Sequence, residues 1–226
     1  MSPVRFTNKL AGQRVLLVGG TGGVGISIAQ ALLEYGAFVT LSSSRETKVK
    51  DVCAALVKDY PEAKDRVSGF ACDLASPNVE SNIEELFKKV GEINHAIYIA
   101  GDRLPTIPLE AVTLEKWQKC NRVRTIAAIR TDAHPLSCPG GLSLRNQLLL
   151  AFDLAPIRVN AVAPGVIETD LWQGLGEEGR KAFFADHQSK IPTGKVGQPE
   201  DLAEAYLYCL KDLNATGIVV HSTFLK

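Results

Sequence analysis

Glycines are concentrated between a short apolar run and a helical pattern near the start of the chain. The apolar run covers residues 15–18, and the glycines that follow it are Gly19, Gly20, Gly22, Gly23 and Gly25. Residues without a Cβ let the backbone approach a pyrophosphate, and the N–H groups that open a helix point towards it. The pattern therefore predicts a dinucleotide site, and an ordinary glycine loop is the alternative.

Hydroxyl and cationic groups follow the next predicted strand. Ser44, Arg45 and Lys48 lie where NAD-binding units of this kind carry an acidic side chain, about 20 residues past the first glycine. Hydroxyl, guanidinium and ammonium groups suit a 2′-phosphate, which distinguishes NADP(H) from NAD. We therefore predict NADP(H) as the cofactor. The alternative is that Arg45 and Lys48 are solvated surface charges.

Strand and helix patterns alternate along the chain. Strands are predicted at 15–18, 38–41, 66–72, 95–99, 157–163 and 217–221, and helices at 24–35, 47–58, 76–90, 115–131, 142–154, 179–188 and 199–210. This alternation predicts an α/β fold, a doubly wound parallel sheet of Rossmann type with helices on both faces. The length of 226 residues predicts one domain over 1–226.

Composition excludes several classes of partner. Twenty-five basic residues balance twenty-five acidic ones, and 46% of the residues are hydrophobic, which is typical of a globular protein that binds neither nucleic acid nor a membrane surface. The five cysteines form no Cys-x-x-Cys pair, and the four histidines have no metal-ligand spacing. We expect no metal, a reducing compartment and, without a signal or membrane-spanning segment, a cytoplasmic location.

Several motifs resemble those of the short-chain dehydrogenase/reductase (SDR) family. Gly19-x-x-x-Gly23-x-Gly25 is similar to its nucleotide motif, Ala100-Gly101 to the turn after its fourth strand, and the segment 157–165 with Thr169 to its penultimate strand and Pro-Gly loop. The resemblance spans residues 13–225 and implies an oxidoreductase that acts on a small molecule and forms homo-oligomers. The cofactor contacts that it implies include Thr21, Gly22, Gly23, Val24, Val166 and Thr169.

Asp73 follows the third predicted strand, where the family has an Asp that accepts a hydrogen bond from the adenine amine. The resemblance implies the same role here. An Asp that ends a strand is also a common turn residue, which is the alternative.

The catalytic set of the family is absent from the expected places. Family members use an Asn, a Ser, and a Tyr followed four residues later by a Lys, whose ammonium lowers the pKa of the Tyr. The one Tyr with a Lys four residues on is Tyr60, with Lys64, and Pro61 interrupts the helix that would align them. The stretch from Gly101 to Pro164 is also roughly 20–30 residues too short, by the length of a strand-helix unit. We therefore predict that the fifth strand is missing or altered.

Arg124 occupies the place of the family's Asn, seven residues after Trp117. An Arg there could contact the cofactor, bind an anionic substrate or polarise a carbonyl group. The alternative is that Arg124 is a solvated cation on a helix. Arg124 and the segments 199–211 and 218–221 resemble a fungal subgroup found in secondary-metabolite pathways.

Two hypotheses follow from these observations. The first is an NADP(H)-dependent reductase-like oxidoreductase with an atypical active site, which acts on a small carbonyl or imine intermediate. The second is a catalytically inactive, truncated homologue that still binds NADP(H).

Overall fold

Six parallel strands and six α-helices make up the part of the chain that the structure describes. This computed structural model describes residues 6, 8–101, 109–111, 113–116, 123 and 144–223, and of residues 144–148 the backbone alone. The strands are β1 Arg14–Val18, β2 Phe38–Ser43, β3 Val67–Ala71, β4 His95–Tyr98, β5 Ala161–Pro164 and β6 Val219–Ser222. The helices are α1 Gly23–Glu34, α2 Glu46–Asp59, α3 Val79–Val90, α4 Leu144–Asp153, α5 Gly176–Lys190 and α6 Pro199–Lys211. Short 3₁₀ helices lie at Pro61–Arg66, Leu109–Ala111 and Asp170–Leu175.

The described strands form two sheets. One sheet has the order β3-β2-β1-β4, and β5 pairs with β6 in the other. Every strand pair is parallel, as in the register of Leu16 with Thr40 on one side and Ala96 on the other. The predicted α/β class with a parallel sheet is confirmed. The strand order reverses between β1 and β4, and the crevice beyond the carboxyl ends of strands at such a point is where ligands bind in open α/β sheets.

Alternate residues of β1 face opposite layers of the core. Leu17 packs in a cluster with Leu32 of α1 and Leu207 of α6, whereas Leu16 packs with Leu86 of α3. Because successive strand residues point to opposite faces, a sheet covered on both sides needs apolar residues at every position of a central strand. The run Val15-Leu16-Leu17-Val18, in which each residue is at most 1% exposed, meets this requirement.

The third helix begins later than the sequence predicts. Ser76 and Pro77 were expected to open it, but α3 begins at Val79. Side chains instead hold this segment in successive turns: Asp73 Oδ1 accepts from the Ala75 N–H at 2.9 Å, and Ser76 Oγ accepts from the Asn78 N–H at 3.1 Å. These local bonds compete with helical ones and delay the helix. By contrast, Thr113 Oγ1 accepts from the Lys116 N–H at 3.2 Å, which is the hydrogen bond of a helix N-cap.

The strand predicted at 157–163 begins four residues late, at Ala161. The apolar neighbours of Arg158 predict that it belongs to this strand, but Arg158 lies before β5 and its side chain binds a helix end. Its Nη1 donates to the carbonyls of Cys209, Asp212 and Ala215 at 2.8–2.9 Å, and its Nη2 donates to that of Leu210 at 3.2 Å. These carbonyls lie at the C-terminal end of α6, where helical partners are lacking and a cation is favourable. The segment before β5 therefore holds α6 in place instead of extending the sheet.

We expect Arg158→Met to destabilise the protein, because it leaves these carbonyls without their charged donor. Each buried acceptor that loses its partner costs about 1–3 kcal/mol. Lys190→Met is the matched control, since Lys190 forms an exposed ion pair with Asp186 that is worth about 0.5 kcal/mol. Urea denaturation of both variants measures the difference in unfolding free energy. Equal effects of the two substitutions would contradict this role of Arg158.

Candidate functional site

The glycine turn lies at the carboxyl end of β1, where β2 and β4 also end. Gly19 has φ +89°, and its N–H donates to the Ser42 carbonyl of β2 at 2.8 Å. A Cβ on Gly19 would lie 2.5 Å from the backbone nitrogen of Ala100, just past β4. Both the left-handed φ and this close approach require glycine. The turn is thereby fixed between the ends of two neighbouring strands.

Packing also requires glycine at the first turn of α1, but not at the helix cap. A Cβ on Gly25 would lie 2.7 Å from the Cα of Gly20, so the helix could not approach the turn as it does. Gly22, the residue that caps α1, would have no atom within 4 Å of an added Cβ, and no side chain caps the helix there. The first N–H groups of α1 have no partner within the helix and no side-chain cap, which is the geometry that binds a diphosphate.

The loop after β5 reaches the same helix end from a distant part of the chain. The Cγ2 of Thr169 lies 3.2 Å from where a Cβ on Gly23 would be. Thr169 also caps the 3₁₀ helix Asp170–Leu175, because its Oγ1 accepts from the Leu171 N–H. Val166 is half-buried in this loop, and the next residue, Ile167, bridges to Gly197. The structure thus brings Thr169 to the glycine turn.

Two other predicted residues line the interior side of the turn. Thr21 is buried, at 4% exposure, within the turn itself. Val24, in the first turn of α1, packs against the core cluster of α1 and α6 and against that of β5. Their contacts tie the turn to both sheets.

The predicted cationic group lies at the end of β2. Ser44 and Arg45 are exposed, Arg45 is the N-cap residue of α2, and Lys48 is half-buried in its first turn. Glu46 on the same turn is paired with Lys50 at 2.6 Å, whereas no ion pair of Arg45 or Lys48 occurs within the described ranges. Both cations are therefore available to an anion. They lie beside the glycine turn, because Ser42 of the strand that leads to them accepts a hydrogen bond from the Gly19 N–H.

Asp73 forms a turn at the end of β3. Its Oδ1 accepts from the Ala75 N–H, and its carbonyl accepts from the Asn82 amide at 2.9 Å. One carboxylate oxygen of Asp73 therefore has the alternative role, that of a turn residue. The side chain is exposed at the end of β3, so its second oxygen faces solvent.

The predicted catalytic residue, Arg124, lies outside the described residues. Its neighbour Val123 is described: it is buried, and its carbonyl accepts a hydrogen bond from the Tyr98 hydroxyl at the end of β4. The backbone that leads to Arg124 is thus anchored to the strand that borders the crevice. This anchor could not be predicted, because it joins two residues that are far apart in sequence.

Tyr60, the one Tyr followed by a Lys at the fourth position, cannot serve as a proton donor near the crevice. Its hydroxyl donates to Glu34 at 2.8 Å, at the C-terminal end of α1, about 16 Å along the helix from the glycine turn. Burial and the Glu34 carboxylate raise the pKa of Tyr60 to about 12. A catalytic Tyr needs a lowered pKa. The surroundings of Tyr60 therefore agree with the conclusion that Tyr60 and Lys64 are not the catalytic pair.

Sequence reasoning did not predict two backbone contacts that shape the site, those of Ser42 and Ala100 with the glycine turn. The Ser42 carbonyl accepts from the N–H groups of both Gly19 and Gly20, and the Ala100 backbone contacts Gly19. Neither contribution uses a functional side chain, so no residue type could signal it. Among the described residues no cluster of ligands could hold a metal ion. In the same part of the chain, no helix is both long enough and apolar enough to cross a bilayer.

Fold and site together define a Rossmann-type protein: a parallel sheet, with a glycine turn and a helix N-terminus at its switch point. A family model described as an SDR-like Rossmann domain matches residues 6–146 and 137–224. The chain belongs to the short-chain dehydrogenase/reductase family.

Relatives of the chain include two fungal proteins. The short-chain dehydrogenase/reductase fsr5 of Gibberella fujikuroi is 35% identical over 254 aligned positions, which cover 97% of this chain and 96% of fsr5. The short-chain dehydrogenase/reductase malC of Malbranchea aurantiaca is 30% identical and covers 99% of this chain and 98% of its own. These relatives confirm the resemblance to fungal members of the family.

Solved structures agree with the fold. The MalC reductase/Diels-Alderase of Malbranchea aurantiaca superposes with a TM-score of 0.86 at 30% identity, over 96% of this chain and 97% of that one. The L-sorbose reductase of Gluconobacter frateurii, in complex with NADPH and L-sorbose, has a TM-score of 0.79 at 18% identity over 96% and 97% of the two chains. At that identity the likeness concerns the fold alone.

We expect Gly25→Ala to lower the thermal stability more than Gly22→Ala does. The added methyl group at position 25 meets the Gly20 backbone, and overpacking of this kind costs about 1–3 kcal/mol. At position 22 it meets open space in the crevice. Differential scanning fluorimetry of both variants without ligand measures the effect. A loss of stability in Gly22→Ala equal to that in Gly25→Ala would contradict the described geometry of the turn.

Proposed function

We propose that the chain binds NADP(H) and is a reductase-like oxidoreductase with an atypical active site. The observation that carries the cofactor assignment is the pair of cations, Arg45 and Lys48, that stand without an ion pair among the described residues where β2 ends beside the glycine turn. A 2′-phosphate would be held there by charge-assisted hydrogen bonds, with Ser44 as a neutral donor. An adenosine ribose without a phosphate would leave both cations unused.

The other contacts with NADP(H) are made by the remaining residues of the crevice. The open N–H groups after Gly22 would hold the diphosphate, and Thr169, packed on Gly23, and Val166 would close the crevice from the loop after β5. Asp73 would accept from the adenine amine with the carboxylate oxygen that its turn leaves exposed. NADP(H), when bound, supplies or accepts a hydride. The protein's task is to orient the substrate and to stabilise developing charge.

The active site is proposed to be atypical because no Tyr of this chain has the surroundings of a catalytic acid. The hydroxyl of Tyr60 is bound to Glu34, that of Tyr98 donates to Val123, and Tyr35 lies at the far end of α1. Tyr206 and Tyr208 belong to α6. Arg124 is proposed as the polar group that anchors a small carbonyl or imine intermediate. The solved relative named a reductase/Diels-Alderase supports a role in secondary metabolism.

A second candidate is a catalytically inactive NADP(H)-binding homologue. The alignment with fsr5 runs over 254 positions, which exceeds the 226 residues of this chain by 28, so at least that many positions of the alignment face a gap in this chain. The family model also matches in two separate segments, which overlap at residues 137–146. Both observations favour the loss of a segment about as long as the predicted one. The location proposed for either candidate is the cytoplasm, and the exposed Leu149 and Phe152 of α4 favour a homo-oligomer.

We expect the chain to bind NADPH about 10- to 150-fold more tightly than NADH. The preference corresponds to one charge-assisted contact of about 1.5–3 kcal/mol, and Arg45→Ala or Lys48→Ala should remove most of it. Lys50→Ala is the matched control, because Lys50 is paired with Glu46 and should not affect the preference. Titration of nicotinamide fluorescence gives the affinities. Equal affinity for the two nucleotides would refute the proposed cofactor.

We expect reduction of simple ketones with NADPH to be at least about 10²-fold slower than in a family member with the full catalytic set, because a positioned acid contributes about 10²- to 10⁴-fold. A cyclic iminium, which needs no proton, should react faster than a ketone. Loss of nicotinamide absorbance measures both rates. Robust ketone turnover would show that an unidentified group donates the proton.

Variants of Arg124 distinguish the two candidates. Arg124→Ala should abolish the iminium rate without changing the preference for NADPH over NADH, whereas Arg122→Ala, two residues away, should retain the iminium rate. If the native chain reduces neither substrate although it binds NADPH, the inactive homologue is the correct description.

A further inference from the structure

Tyr98, the last residue of β4, places a hydroxyl inside an apolar core. The side chain is 2% exposed and packs in the cluster that contains Leu16, Val18 and Leu86, on the face of the sheet that α3 covers. A tyrosine that is buried in this way needs a hydrogen-bond partner for its hydroxyl, because water does not reach it. The hydroxyl donates to the carbonyl of Val123, which is 25 residues later in the chain.

This hydrogen bond holds a whole peptide group. The carbonyl of Val123 and the N–H of Arg124 belong to the same peptide unit, which is planar from the Cα of Val123 to the Cα of Arg124. A donor that holds the carbonyl oxygen therefore restricts where this plane can lie. Val123 is itself buried, at 6% exposure, and packs in the same cluster as Tyr98. The plane is thus held both at its carbonyl and through the side chain that precedes it.

The strand end that carries this hydroxyl borders the crevice of the glycine turn. Tyr98 is paired in register with Val18, the residue before Gly19. The next residue, Ile99, donates its N–H to the Val18 carbonyl at 2.9 Å, and the Ala100 backbone contacts Gly19. The end of β4 is therefore fixed against β1 and the turn. The peptide group that the hydroxyl holds lies within the reach of one tyrosine side chain from this border.

Loss of the hydroxyl would release this plane without opening the core. Phenylalanine has the same ring and fills the same space, so Tyr98→Phe removes the donor and keeps the apolar contacts. The Val123 carbonyl would lose a partner in a place that is shielded from water, which is costly, and it would shift towards another donor. The Cα of Arg124 would move with it, because the peptide unit is planar.

We propose that Tyr98 is a positioning residue for Arg124: its hydroxyl holds the peptide unit that leads into Arg124 and so directs the Arg124 guanidinium to the crevice beside the glycine turn. This inference rests on the proposed function, in which Arg124 is the polar group of the active site. A misplacement of about 1 Å in such a group can lower a rate about 10²-fold, so one buried hydroxyl can decide whether the site works. The alternative is a hydrogen bond that serves folding alone.

Modification of arginine side chains by phenylglyoxal, with and without saturating NADPH, tests this in the full chain. Peptide mass spectrometry gives the rate at each arginine. In the native chain we expect NADPH to slow the modification of Arg124 and of Arg45, which binds the 2′-phosphate in the proposed function. In Tyr98→Phe we expect the protection of Arg45 to persist and that of Arg124 to be lost. Tyr60→Phe is the matched control and should retain both protections, because the Tyr60 hydroxyl donates to Glu34 away from the crevice.

A second substitution restores the donor. Tyr98→p-aminophenylalanine keeps the ring and places an amino group where the hydroxyl was, so it can again donate to the Val123 carbonyl. We expect this variant to regain NADPH protection of Arg124. If the native chain reduces the cyclic iminium, kcat should be about 10²-fold lower in Tyr98→Phe and should recover with p-aminophenylalanine, while the preference for NADPH over NADH stays unchanged in both.

The possible outcomes separate this inference from the proposed function. If NADPH protects neither Arg45 nor Arg124 in the native chain, the proposed function fails and this inference fails with it. If Arg45 is protected and Arg124 is not, or if both stay protected in Tyr98→Phe, the inference alone is overturned. Loss of both protections in Tyr98→Phe would show that the hydroxyl serves folding alone, which also overturns it.

Discussion

The close approach of the Gly19 turn to the ends of β2 and β4 is the constraint on which the site depends. Gly19 donates to Ser42 on one side and contacts the Ala100 backbone on the other, and Gly25 touches Gly20. These contacts place the N-terminus of α1 over the switch point of the sheet. The N-terminus of α1, the cations after β2 and the loop that carries Thr169 are all arranged around this turn. A side chain at Gly19 or Gly25 would displace α1 and separate these groups.

The second half of the molecule is held by a different interaction. Arg158 gathers the carbonyls at the end of α6, and α6 packs on α1 through the core that includes Leu32 and Leu207. Through this contact β5 and β6 stay beside the nucleotide half, although neither strand pairs with β4 among the described residues. A sheet that is divided in this way can keep a nucleotide site because the glycine turn, β1, β2 and α1 are complete within the first part of the chain. The chemistry expected of the family depends on the region between the two sheets, so the proposed cofactor binding can be tested apart from catalysis.

Sequence patterns predicted the nucleotide half well, because its signals are local. A buried strand without polar residues, a glycine cluster and a helix with apolar spacing follow each other within about 25 residues, and their order in the chain is the signal. The predicted start of α3 was wrong because the side chains of Asp73 and Ser76 make turns that compete with a helix. The start of β5 was wrong because an apolar pattern does not reveal that Arg158 binds a distant helix end. The contacts of Ala100 and Val123 join separate parts of the chain, and such contacts have no pattern in the sequence.

The central claim is that Arg45 and Lys48 bind a 2′-phosphate beside an intact glycine turn. Phosphorus NMR of NADPH bound to the chain tests it most directly, because the resonance of the 2′-phosphate follows its ionisation. Neighbouring cations favour the dianion and lower the pKa of this group below its ordinary value of about 6. The account predicts a bound 2′-phosphate whose pKa is lowered and returns towards that of free NADPH in Arg45→Ala. A 2′-phosphate that titrates in the complex as it does in free NADPH would contradict it.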